Sequence, residues 1–380
     1  MQSVFQLPRF TIISMLLVFI LSGCVAFSAE RWESYAGGEL CAVQPTFSNA
    51  EKQALPIFFV TTSLPDCRRQ PYAMTIQRGD RIRYGRVHGS GTSEKPQPPE
   101  FLFQAHNSWQ QDIADAATLS SGKIVVYIHG YNNDFADTAV QSEQIRYHTG
   151  FAGPVIGYNW PSHHKFLRYA VDEVNRVWDQ PYFTAALLEL AAMPQISEIV
   201  LVAHSMGARG AIAATHMIDR GHPHYAHKLR NIILASPDVD RQIFEREARD
   251  LLLTEAKVAQ GRRITVFASD NDRAVAASRF LHGYDRLGVT RCIDPLATPP
   301  CYARPLRNGK PIAGLTIIDT SAVSGGFIGH MDFLDSKAGR EFFCAALLSD
   351  ATMMPRAYTI IEATEANAPG TCAETAMMQL

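Results

Sequence analysis

A serine hydroxyl is a poor nucleophile at neutral pH unless an imidazole takes its proton and a carboxylate orients that imidazole. This chain offers residues for each role. Ser205 lies in Glu198-Ile-Val-Leu-Val-Ala-His-Ser-Met-Gly-Ala-Arg-Gly210, where an apolar β-branched run stops at the serine and an alanine-rich helical pattern follows. In a turn of the pattern G-x-S-x-G, small residues two before and two after the serine let strand and helix pack closely while the hydroxyl stays exposed. Here Ala203 stands at the first small position and Gly207 at the second. His330, in the loop Gly325 to Leu334, is the candidate base, and its rival His282 reads as a packing residue at a helix end. The acid is open between Asp270 and Asp272 after one strand and Asp238 and Asp240 after the strand before it, with helix capping as the alternative role for Asp240. A tetrahedral intermediate carries its charge on oxygen, and the backbone N–H groups of Met206 and of Tyr131, in His129-Gly-Tyr-Asn-Asn133, are the expected donors to it.

Those positions depend on the elements that carry them. Leu55–Thr62 and Arg81–His88 read as opening antiparallel strands. From Gly122 strands and helices alternate: Lys123–Ile128, a helix capped by Asn132, Asn133 or Asp134 and ending near Gly150, Pro154–Trp160, then a helical stretch from about Arg168 to Met193 that Pro181 is expected to break. The strand before Ser205 and its helix come next, followed by strands Asn231–Ala235, Arg263–Ala268 and Gly314–Asp319 and a last helix over Ser336–Leu348. This alternation predicts an α/β fold with a mainly parallel sheet covered on both faces, and ligands beyond the carboxyl ends of its strands. Ser205, the aspartates and His330 all fall there, in the order serine, acid, histidine.

The segments Tyr127-Ile-His-Gly-Tyr-Asn-Asn133, Tyr158-Asn-Trp-Pro-Ser162, Val202-Ala-His-Ser-Met-Gly207, Ala235-Ser-Pro-Asp-Val-Asp240, Ser269-Asp-Asn-Asp-Arg-Ala-Val275 and Gly329-His330 resemble an esterase/lipase-superfamily branch of α/β-hydrolase domains of unknown function. Phe58–Thr62 and Tyr84–Val87 resemble its entry strands, so the likeness spans roughly residues 55 to 340. It implies the α/β-hydrolase fold, hydrolysis of small-molecule or lipid esters without a cofactor, and Asp272 as the orienting acid. It names no substrate. Acyl transfer and amide hydrolysis would use the same groups, and a catalytically inert binding or assembly factor of the same fold is the contrasting reading.

The 380 residues are 47% apolar, enough for a large core, and a net charge of −2 gives no reason to bind nucleic acid. Near the start, Arg9 precedes an apolar run, Phe10–Leu21, ending in Leu21-Ser-Gly-Cys24. This resembles the lipobox of bacterial lipoproteins. The resemblance implies a signal peptide over 1–23, lipid on Cys24, a tether to residue 52, and an outer-membrane lipoprotein facing the periplasm. The hydrolase domain is expected over 53–350, with an extension over 351–380. In an oxidising compartment the other six cysteines are expected to pair, Cys41 with Cys67, Cys292 with Cys301 and Cys344 with Cys372. No metal site is expected: His222, His224 and His227 sit in a loop without a nearby carboxylate or cysteine, and Gly325-Gly326 lacks the lysine of a phosphate loop.

Overall fold

The computed structural model describes residues 55–66, 73–88, 100–290, 312–323, 326, 328–349, 359–370 and 372. The expected signal peptide, Cys24, the tether, and the cysteines at 41, 67, 292 and 301 lie outside the described residues.

The strands are β1 (Ile57–Asp66), β2 (Ala73–His88), β3 (Glu100–Gln104), β4 (Lys123–Ile128), β5 (Val155–Asn159), β6 (Glu198–His204), β7 (Asn231–Ala235), β8 (Arg263–Ala268), β9 (Leu315–Asp319) and β10 (Thr359–Glu362). They form one sheet in the order β10-β9-β8-β7-β6-β4-β5-β1-β2-β3. From β1 through β10 in that order, every pair is parallel; β2 runs antiparallel to both β1 and β3. This is the expected mixed sheet, with β3 and the edge strand β10 as elements the sequence pattern did not reveal.

The helices are α1 (His106–Ala117), α2 (Phe135–Thr149), α3 (Tyr169–Ala192), α4 (Gly207–Gly221), α5 (Arg241–Glu247), α6 (Glu255–Ala259), α7 (Arg273–His282), α8 (Asp332–Asp335) and α9 (Lys337–Leu348). Strand side chains point alternately to the two faces, so a central strand needs apolar residues at every position. Along β4, Ile124, Val126 and Ile128 join one core with Trp109 of α1, Phe183 and Leu187 of α3 and Ala211 of α4. Val125 and Tyr127 join the other, with Phe135 and Ile145 of α2, Phe333 of α8 and Phe343 of α9. No helix among the described residues is long and apolar enough to cross a membrane.

Pro181 does not break α3, contrary to expectation. A proline inside a helix loses one backbone hydrogen bond and costs about 3 kcal/mol. The helix buries Asp172, Asn175, Arg176 and Asp179 before the proline, and Phe183, Ala186, Leu187 and Leu190 after it. Packing on both sides therefore holds the helix through the defect. At the other edge, β10 extends the sheet beside β9, and the expected disulfide between Cys344 of α9 and Cys372 is formed.

Candidate active site

The turn after β6 holds Ser205 in the left-handed region, at φ +51°. Side chains other than glycine enter that region at a cost of about 1–2 kcal/mol, so the surrounding contacts must hold it. They do so on both sides. Ser205 N–H donates to Ala235 O at 3.0 Å, and Ser205 O accepts from Asp238 N–H at 3.1 Å and Ala208 N–H at 3.1 Å. Gly207 is needed because a Cβ there would stand 2.5 Å from His129 O, and Gly130 because its Cβ would stand 2.6 Å from that of Ser205. The end of β4 is thus pressed against the serine turn.

His330 lies behind the last long strand, where Asp272 receives it. His330 Nδ1 stands 2.8 Å from Asp272 Oδ2 and 3.0 Å from Oδ1. Asp272 is fully buried and also caps α7, accepting Val275 N–H at 2.9 Å. Burial alone would lower the imidazole pKa, but the Asp272 charge and hydrogen bond outweigh it and leave His330 above the ordinary value. With Nδ1 committed to Asp272, Nε2 is the nitrogen that remains for a substrate or a hydroxyl.

His204 ties the two parts together. Its Nε2 donates to His330 O at 3.2 Å and the two rings lie 4.5 Å apart. Burial holds its pKa well below the usual histidine range, so it stays neutral. His129 is likewise buried, which pushes its pKa down to about 4. Trp160 N–H donates to His129 Nε2 at 3.2 Å, which leaves Nδ1–H to donate to Gly130 O at 2.8 Å. Because C=O and N–H of one peptide point in opposite directions, the Tyr131 N–H is aimed away from His129. Met206 N–H lies at the start of α4, where the first helical amides have no partner within the helix. Trp160 stacks on His129 and, with Ser162 and His164, lines a cavity of about 100 Å³.

Residues 105–343 match the family described as alpha/beta hydrolase of unknown function (DUF900). The chain belongs to this family. Solved hydrolases also match the chain at low identity. A thermophilic carboxylesterase, EstE1, from a metagenomic library shares 11% identity, with 72% of this chain and 86% of that one covered and a TM-score of 0.33. A predicted CIB-like hydrolase from Thermoplasma acidophilum shares 11%, covering 70% and 90% with a TM-score of 0.29, and a Pyrobaculum calidifontis esterase 13%, covering 72% and 82% with a TM-score of 0.33. No curated protein matches the sequence.

The other acids of this hydrolase have different partners. Asp270 accepts a hydrogen bond from Thr290 Oγ1, and Asp240 caps α5 through Ile243 N–H at 3.0 Å. Asp238 is buried between Arg209, at 3.0 Å, and Arg286, at 3.1 Å, and is bonded by Ser278 Oγ and by Tyr169 OH. Burial would raise its pKa, yet the two guanidinium groups hold it below the usual carboxylate range. The rival base His282 belongs to this network, with Nε2 at 2.9 Å from Glu173. Asp238→Ala should therefore destabilise the fold by about 3–5 kcal/mol, as removal of one partner from a buried ion pair does. Denaturant unfolding measures this, and a loss below about 1 kcal/mol would refute it.

The sequence pattern offered Asp134 only as a helix cap and did not suggest that it meets Asp137 and His164, the ligand atoms of the three lying within 4.8 Å of one another. Asp134 and Asp137 form a reciprocal cap at the start of α2, with His164 Nδ1 at 3.1 Å from Asp134. The cap and this contact account for the cluster. His222, His224 and His227 form no such group among the described residues.

Proposed function

We propose that this protein hydrolyses carboxylic esters through an acyl-enzyme on Ser205. The observation that supports it most is the two-oxygen grip of Asp272 on His330 Nδ1, on a loop tied by His204 to a serine in left-handed backbone geometry. In this reading Ser205 Oγ attacks the ester carbonyl carbon while His330 Nε2 takes its proton. The carbonyl electron pair moves to oxygen, where the N–H groups of Met206 and Tyr131 receive it. Collapse of the adduct expels the alcohol oxygen, which takes the proton from His330. Water then adds to the acyl-enzyme by the same route, releasing the acid and restoring Ser205. Lipid on Cys24 would hold the enzyme at the outer membrane facing the periplasm, and fatty-acid incorporation that disappears in Cys24→Ser is its measurement.

The test is labelling of the purified protein by a fluorophosphonate probe together with turnover over esters of graded acyl length. Labelling at Ser205 with ester turnover is expected. A folded protein that does neither would favour the inert binding factor. The pH dependence follows from His330. The base must be neutral, and its pKa is raised, so kcat/KM should rise with pH with its midpoint above the ordinary imidazole value near 6.5. A profile flat from about pH 6 to 8 would contradict a histidine base.

A further inference from the structure

Tyr169, the first residue of α3, stands where the segments that carry the site meet. Its ring packs edge-on against that of Tyr131, with centroids 5.1 Å apart and planes at 64°. The Tyr131 hydroxyl in turn donates to Lys165 O, just before α3, at 3.2 Å. The loop that carries Tyr131 is therefore braced by the entry to α3. The other end of the Tyr169 side chain reaches towards the serine turn. Its hydroxyl donates to Asp238 Oδ2, accepts from Arg209 Nη2 at 2.7 Å and lies 3.2 Å from Ser278 Oγ. Burial, together with the Asp238 charge, holds the phenol well above its usual pKa, so it keeps its hydrogen and remains a donor. Asp238, fastened in this way, sends its backbone N–H to Ser205 O at 3.1 Å, while Arg209 Nε holds Asp238 O at 2.7 Å. Carbonyl and amide of one trans peptide point in opposite directions, so a bond that fixes Ser205 O also fixes the Met206 N–H.

We infer that Tyr169 is the positioning residue of the oxyanion hole, setting the Tyr131 loop through its ring and the Met206 amide through its hydroxyl and Asp238. The inference rests on the catalytic reading of Ser205. Backbone donors serve only when they stand about 2.7–3.1 Å from the place the oxygen will take, and loops hold such a tolerance less well than helices do. Tyr169 supplies the missing anchor, because it opens a 24-residue helix that buries Asp172, Asn175, Arg176 and Asp179 within its first turns. The two routes are unequal. Without the hydroxyl, the Asp238 carboxylate would still keep Arg209, Arg286 and Ser278, so the ring is the larger half.

The experiment measures turnover of a short-chain ester by the full chain, and its inhibition by a trifluoromethyl ketone, whose carbonyl carbon bonds Ser205 Oγ while its oxygen takes the electron pair into the hole. Tyr169→Leu should lower kcat by about 10²-fold, the loss that a misplacement near 1 Å causes, and leave KM within about threefold. Inhibition should weaken by the same factor as kcat, since the adduct carries the same charge on oxygen. Tyr169→Phe keeps the ring and should recover most of the loss, falling about threefold to tenfold below the parent in both measures. A cycle with Tyr131→Ala tests the route. Alanine keeps the amide of residue 131 and removes the ring that Tyr169 braces, so in that background Tyr169→Leu should cost no more than Tyr169→Phe costs in the parent. Losses that multiply in full would overturn the inference, as would parental kcat and ketone inhibition in Tyr169→Leu, or a loss confined to KM. Where Tyr169→Leu does not fold, Tyr169→Phe decides by the same two measures, and parental values there overturn the inference. In each of these results turnover by the parent upholds the catalytic reading. A parent without turnover or Ser205 labelling would defeat that reading itself, and the role of Tyr169 with it.

Discussion

Ser205→Ala should lose about 10⁵–10⁶ of kcat towards a short-chain ester and all labelling by a fluorophosphonate probe. A loss of that size is what removal of a nucleophile causes when base and acid can act only through it. Alanine is the informative replacement because it keeps the Cβ that packs against Gly130 and leaves the backbone at φ +51° with a similar steric cost. Glycine would relieve that cost and change stability together with chemistry. The thermal midpoint of Ser205→Ala should therefore stay within a degree or two of the parent, since an isolated change of about 0.5 kcal/mol shifts a domain of this size by no more. Turnover that survives within tenfold would remove Ser205 from the mechanism. Burst kinetics in the parent, absent in the variant, would place the acyl group on this residue.

The sheet was legible because its inner strands are fully buried and so are written as unbroken apolar runs: Ile199–Val202 and Ile232–Ala235 allow little other reading. The turn at Ser205 was legible for a different reason. Only a small residue fits at position 207, where a Cβ would meet the end of β4, and that necessity leaves a mark in the sequence. Edge elements leave a weaker one. β3 and β10 are short and lie at the two edges of the sheet, and β10 alternates half-buried with exposed positions. α3 misled because helix propensity is local, whereas the packing that carries the chain through Pro181 is not. The acid shows the same limit within the site. Asp238, Asp240, Asp270 and Asp272 all follow strand ends, and their spacing alone does not rank them. Their fates are decided by distant partners: Arg209 and Arg286 claim Asp238, Thr290 bonds Asp270, and His330 meets Asp272 from 58 positions away. The contribution of His204 was hidden too, because its hydrogen bond to His330 O spans 126 positions.

Asp272→Asn should lower kcat by about 10³–10⁴ and scarcely change stability, since the helix cap falls on Oδ1 and the shorter hydrogen bond to His330 on Oδ2. Oδ1 accepts the Val275 amide that begins α7, and an asparagine oxygen can keep that cap, which is worth about 1 kcal/mol. The other position faces His330 Nδ1 at 2.8 Å, and there asparagine presents an N–H. Two donors cannot share that contact, so the tautomer with Nδ1 as acceptor is favoured over one that keeps only the longer 3.0 Å contact with Oδ1, which the Val275 amide also uses. In that tautomer the imidazole proton sits on Nε2, the nitrogen that should take the proton from Ser205, and neutral His330 can no longer act as the base. Loss of the carboxylate also removes what raises the His330 pKa against burial, so the residual pH profile should shift to lower pH. Matched measurements on Asp270→Asn and Asp238→Asn complete the comparison. If Asp272→Asn stays within tenfold of the parent while one of those two loses activity without unfolding, the orienting acid is that residue. If all three fall together with their thermal midpoints, the losses report folding, and the assignment of Asp272 fails.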